Sequence, residues 1–129
     1  MFEEDFIMRQ IREMVRMMLK LLFQIDLDSN GSWEEVFQGT KETDILRELF
    51  SLVDAGRIDK AENQVYELCE DPDAANLKIV LMFYDYLNGK EDEFLEQCGF
   101  SREEIKEDLK DLVSKFGLSD MAETFLHEN

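Results

Sequence analysis

Gly56-Arg-Ile-Asp-Lys-Ala61-Glu-Asn-Gln-Val65-Tyr-Glu-Leu68-Cys69-Glu-Asp-Pro72 is the stretch that decides the fold. A glycine turn opens it, apolar residues recur at 61, 65, 68 and 69, and a proline stands just beyond its end. That is the pattern of a helix with one buried face. The leucine-rich run 44–55 precedes it, so the two segments predict an antiparallel helical hairpin pivoting on Gly56. Such hairpins build helical repeat proteins, which bind partners far more often than they do chemistry.

Two further pairs follow the same plan. Segments 74–87 and 90–98 flank Gly89, and segments 102–115 and 119–127 flank Gly117. Five residues beyond each glycine comes an apolar residue (Ala61, Phe94, Ala122), and four further on come Val65, Cys98 and Leu126. The glycines are 33 and 28 residues apart, which fits an internal repeat and equally the common needs of any helical hairpin. End signals agree with the boundaries. Asp71-Pro72 reads as an N-cap followed by proline at the first helical position, and Ser101 with Glu104 has capping-box spacing. Asn88-Gly89 and Gly117 read as left-handed helix ends.

Composition supports an all-α domain. The chain has 129 residues, 44% of them hydrophobic, 14 aromatic residues, six glycines and one proline. That is enough apolar material for one packed core and too few turn residues for a sandwich or barrel of many short strands. Three parts are expected within this one domain: a long amphipathic helix over 1–25, a linker at 26–43 rich in Asp, Ser, Asn, Gly and Thr, and a hairpin body over 44–129. Within the linker, Trp33, Val36 and Phe37 suit a short docking turn.

The N-terminal helix is unusually broad in its apolar face. At 100° per residue, Ile7, Met8, Ile11, Met14, Val15, Met17, Met18, Leu19, Leu21, Leu22 and Ile25 fill an arc of about 200°, whereas a surface helix buries a stripe little over ~100° wide. The helix is therefore either threaded through its own domain or shared with a second protomer. Its other side carries Arg9, Arg12, Arg16 and Lys20. Five of the seven methionines fall in residues 1–18, which suits an adaptable contact surface as well as plain core filling.

Net charge is −17, and all of it lies beyond this helix. Residues 1–25 hold four acids and four bases, leaving 27 of the 31 acids and 10 of the 14 bases to the other 104 residues. Such a body repels phosphate backbones, so no nucleic-acid partner is expected. The basic stripe Arg9/Arg12/Arg16/Lys20 reads three ways: a solvated face, a surface that meets the acidic body of another protomer, or a membrane-surface helix opposed by the charge of the body. No run approaches a membrane span, and the acidic start is no secretory leader, so a cytoplasmic protein is expected. Cys69 and Cys98 fall on apolar stripes and read as reduced, buried thiols.

Two resemblances extend this reading. Gly56-x-Ile58-Asp59-x-Ala61, with Pro72 near the close of the unit, resembles the inter-helix turn of a tetratricopeptide repeat. The likeness covers about one hairpin and departs from the pattern at Leu49, where such repeats carry a small residue. It implies right-handed stacking of helix pairs and a scaffold that binds peptides, with no groove residue to carry over. Met1-Phe-Glu-Glu-Asp-Phe-Ile-Met-Arg9, Lys20-Leu-Leu-Phe23 and Phe100-Ser-Arg-Glu-Glu-Ile105 make the whole chain similar to a family of small acidic bacterial proteins of unknown function. That resemblance implies no activity.

Signals for chemistry are few. Asp26-x-Asp28-x-Asn30-Gly31 begins like a calcium loop, with alternating oxygen ligands and a glycine at the sixth position, and Glu35 would close a shortened version. Asx-type turns around Trp33 explain the same residues. The single histidine, His127, is two residues from the end, and acid pairs such as Asp108/Asp111 are what 31 acids on helix surfaces produce. Phe83, Tyr84 and Tyr86 read as core and rim. The expectation is a non-enzymatic, cofactor-free interaction module that self-associates through Arg9, Arg12, Arg16, Lys20, Met14, Met17, Met18 and Leu21. A metal-linked module using Asp26, Asp28, Asn30 and Glu35 is the alternative.

Overall fold

The computed structural model describes residues 2–26 and 40–126, and among these it is all-helical. The helices are α1 (Phe2–Phe23), α2 (Thr40–Asp54), α3 (Ile58–Leu68), α4 (Ala74–Asn88), α5 (Asp92–Gln97), α6 (Arg102–Ser114) and α7 (Ser119–Leu126). Helix α2 begins at Thr40, so it takes the last residues of the segment expected as linker.

Helix α4 is the centre of the packing. Its sequence is apolar over most of its circumference, with Lys78 and Asp85 on one half-buried side, and Leu77, Ile79, Val80, Leu81, Met82, Phe83, Tyr84 and Leu87 are all buried. A helix of that kind needs neighbours around most of its circumference. Helices α1, α2 and α6 supply them, while α3 packs on α2 and α7 on α6 and α1. Each fully buried Leu, Ile, Val or Phe contributes about 1.5–3 kcal/mol, so this one helix outweighs any surface ion pair in the molecule.

The hairpin turns at Gly56 and Gly117 are left-handed, with φ of +80° and +78°. Gly89 differs from the expectation. It sits at φ −80° in right-handed geometry, and Gly99, at φ +71°, makes the left-handed turn after α5 instead. The α4–α5 corner needs no left-handed residue because a buried cation holds it. Arg102, only 2% exposed, donates from Nη2 to the carbonyls of Asn88 (3.1 Å) and Lys90 (2.5 Å) and from Nη1 to Asp92. A cation on the last carbonyls of a helix also complements its dipole. Asn88 in turn donates from Nδ2 to the Met8 carbonyl at 2.9 Å, tying α4 to α1.

Cap chemistry was half legible. Ser101 accepts from the Glu104 backbone N–H at 3.2 Å, as its spacing predicts. The cap of α4 is Asp73, not Asp71. Its Oδ1 accepts from the Asn76 N–H at 2.9 Å, and the Asn76 side chain closes the end of α3 by donating to the Leu68 and Asp71 carbonyls. Pro72 therefore lies just before the cap, two residues ahead of Ala74, the first residue of the helix it was expected to open.

The two glycines give a direct test. Gly56→Ala is expected to cost about 1–2 kcal/mol because an L side chain is strained in the left-handed region. Gly89→Ala is expected to stay within roughly 0.5 kcal/mol, its added Cβ meeting nothing closer than ordinary van der Waals contact. Urea unfolding of both variants checks the contrast.

Candidate interaction surface

Helix α1 uses its broad apolar arc in two different ways. Ile7, Ile11, Met14, Val15, Met18 and Leu19 are buried, at spacings that trace one helical face, and α1 lies on α4, α6 and α7. Phe6, Met17, Leu21 and Leu22 are exposed, at 46%, 38%, 61% and 40%. These four are the exposed large apolar side chains of the described residues. At 100° per residue Phe6 and Met17 lie about 20° apart and Leu21 about 40° further round, so three of the four share one flank. Leu22 lies over the core face and emerges because the helix ends there, at Gln24 with φ +60°.

This divides the expected contact residues. Met17 and Leu21 are on the outer flank. Met14 and Met18 are not, being fully buried in the core, because they stand one turn beyond Gln10 and Met14 on the side that faces α4, α6 and α7. Phe6 was missed, although its 11-residue spacing from Met17, close to three whole turns, is a signal the sequence carries. Beside Leu21 a shallow groove of about 460 Å³ opens between the end of α1 and α7, lined by Gly117, Leu118, Asp120, Met121 and Thr124.

The basic stripe is likewise divided. Arg9, Arg12 and Lys20 are exposed. Arg16 is half-buried, its Nε 3.9 Å from Asp85 of α4, so it serves its own fold. An exposed three-base stripe thus runs beside the apolar flank on the one neutral segment of a strongly acidic chain.

A second cluster lies where α3, α4 and α6 meet. Tyr84 is fully buried and donates its phenolic hydrogen to Glu62 Oε2 at 2.6 Å. Asp108 and Glu104 of α6 lie near enough to act on the Glu62 carboxyl, and Tyr66 donates to Asp111 Oδ2 at 3.2 Å. Burial, helped by Asp108 and Glu104, pushes the Glu62 carboxyl up to about 8. Asp108 is raised as well, first by burial. Sequence reading took such acids for solvated ones, since only the fold brings position 62 against position 108. A polar depression of about 290 Å³ beside Asp111 is lined by Glu107, Lys110, Ser114, Ser119 and Glu123, and neither Glu62 nor Asp108 lines it.

The other candidates are quickly placed. Cys69 and Cys98 are free thiols, the first buried and pushed up to about 11 by that burial, the second half-buried. A thiol so raised is a poor nucleophile. Phe83 and Tyr84 are buried, and Tyr86 stacks on Phe50 at 4.0 Å and donates to Asp54 at 2.6 Å, as core and rim residues. Asp26 is half-buried, while Asp28, Asn30, Glu35, Trp33 and His127 lie outside the described residues. Among the described residues no group of three His, Cys, Asp or Glu side chains is placed to hold a metal, and no helix is long and apolar enough to cross a membrane.

A family model described as a family of unknown function (DUF6483) matches residues 1–117, which takes in α1 to α6. No curated protein and no solved structure matches the chain.

The split of α1 predicts opposite responses on neighbouring turns. Met14→Ala should cost about 2–5 kcal/mol in urea unfolding, as a large-to-small change in a closed core does. Leu21→Ala should change stability by less than about 0.5 kcal/mol.

Proposed function

Because the chain belongs to this family of unknown function, and its geometry offers one surface out of keeping with a solvated helix, we propose that it is a non-enzymatic protein-interaction module that self-associates through the outer flank of α1. One observation carries the reading: all four exposed large apolar residues among those described are on α1. Scattered exposed apolar side chains are ordinary, but three on one helical flank beside a groove mark a contact surface. Charge supports a second copy as the partner. Arg9, Arg12 and Lys20 face outward on a chain of net charge −17, so every copy presents both the basic stripe and an acidic surface for it.

The remaining elements fit the role of a rigid mount. Pairs α2/α3 and α6/α7 turn on left-handed glycines, which supports tetratricopeptide-like stacking as the reading of the body. Two free thiols suit a reducing compartment, so the cytoplasm is the proposed setting.

Sedimentation equilibrium from about 1 to several hundred micromolar tests the proposal. A reversible, concentration-dependent dimer or larger assembly is expected. Leu21→Glu should weaken it at least tenfold, and Arg12→Glu should both weaken it and reduce its salt dependence. A protein that stays monomeric over the whole range, with helix content intact, overturns the reading.

A further inference from the structure

Resting on the reading of α1 as a self-association surface, we propose how two copies meet. Their α1 helices pair antiparallel about a two-fold axis beside Glu13 and Met14, and the Phe6 ring of each copy enters the groove beside Leu21 of the other. Phe6 and Leu21 are the two ends of the exposed apolar flank. They stand 15 residues apart, about 22 Å along a helix that rises 1.5 Å per residue. At the Leu21 end the surface is hollow: the groove of about 460 Å³ runs between α1 and α7, with Leu21, Leu118 and Met121 as its apolar walls. At the other end a ring stands out, 46% exposed.

Symmetry selects the direction. A two-fold interface makes every contact twice, so a residue that meets a second one on the other copy is met by it in return. With antiparallel helices and the axis between residues 13 and 14, Phe6 faces Leu21 of the other copy and Gln10 faces Met17. Ring and groove then meet at both ends of the interface at once. A parallel pair sets Phe6 against Phe6 and groove against groove, and both hollows stay unfilled. Apolar walls with no partner atoms forfeit the burial and the dispersion contacts from which such an interface draws its stability.

The charges on the two rims agree with this direction. Arg9 is exposed and follows Phe6 by three residues, so it stands beside the ring, one turn along the helix. Asp120 is exposed in the first turn of α7 and lines the groove. Entry of the ring therefore carries Arg9 of one copy to Asp120 of the other, base to acid, at both ends. A parallel pair brings Arg9 to Arg9 instead. Glu13 falls beside the axis, where the two copies bring like charges near one another, and the exposed bases Arg9, Arg12 and Lys20 of the same helix outnumber it there.

Isotope-filtered NOE spectra of the full wild-type chain at several hundred micromolar read the direction without any substitution. Chains with carbon-13-labelled Leu and Met methyls are mixed with unlabelled ones, so that cross-peaks between the two kinds are intermolecular. Contacts from the Phe6 ring to the methyls of Leu21, Leu118 and Met121 are expected. Contacts from Leu21 to Leu21, with none from Phe6 to the groove, overturn the antiparallel pair while self-association through α1 stands. A chain that is monomeric at that concentration overturns both. A charge exchange gives a second readout. Arg9→Asp and Asp120→Arg should each weaken association about threefold or more, and the double variant should return to within about twofold of wild type. Single variants that associate like wild type, or a double variant no tighter than the weaker single one, overturn the Arg9–Asp120 pairing and the direction it supports.

Discussion

A helix that is apolar over most of its circumference must be enclosed, and α4 imposes that requirement on the whole chain. Its buried residues run from Leu77 to Leu87, broken only by half-buried Lys78, Asp85 and Tyr86, so one layer of helices is not enough. Helices α1, α2 and α6 close around it, and the smaller α3 and α7 lean on those three. Arg102 and Asn88 then fix the end of α4, one gathering the carbonyls of Asn88 and Lys90 and the other reaching back to α1.

Both unusual features follow from this wrapping. Helix α1 spends the Ile7–Ile11–Met14–Met18 side of its arc on the core, and the width left over is the flank of Phe6, Met17 and Leu21. Surrounding α4 also buries the hydroxyl of Tyr84, and a buried hydroxyl must find an acceptor. Glu62 is that acceptor, and burial raises the pKa of its carboxyl. A single packing demand thus produces an outward apolar surface on one side of the molecule and a half-buried carboxyl held by a buried tyrosine on another.

The helical class and the hairpins at Gly56 and Gly117 were legible because local chemistry sets them: apolar period, turn glycines and the Ser101 cap are all written within a few residues. The corner at Gly89 was not, since it is held by Arg102, thirteen residues on, and no local signal distinguishes that arginine from a solvated one. Met14 and Met18 looked like contact residues because amphipathic width alone cannot tell which half of a wide arc faces inward. Glu62 and Asp108 were hidden for the same reason in stronger form, being 46 residues apart and joined only by tertiary packing. The likeness at family level reaches residues 1–117 and carries no activity, so the proposed function rests on the surface of α1 rather than on inheritance.

Amide hydrogen exchange, read helix by helix at low and high protein concentration, probes the wrapping and the surface together. The amides of α4 should be the slowest at both concentrations, opening only with the whole molecule, while those of α1 around Met17 and Leu21 gain protection as concentration rises. An α4 that opens ahead of its neighbours, or an α1 whose exchange is indifferent to concentration, would contradict it.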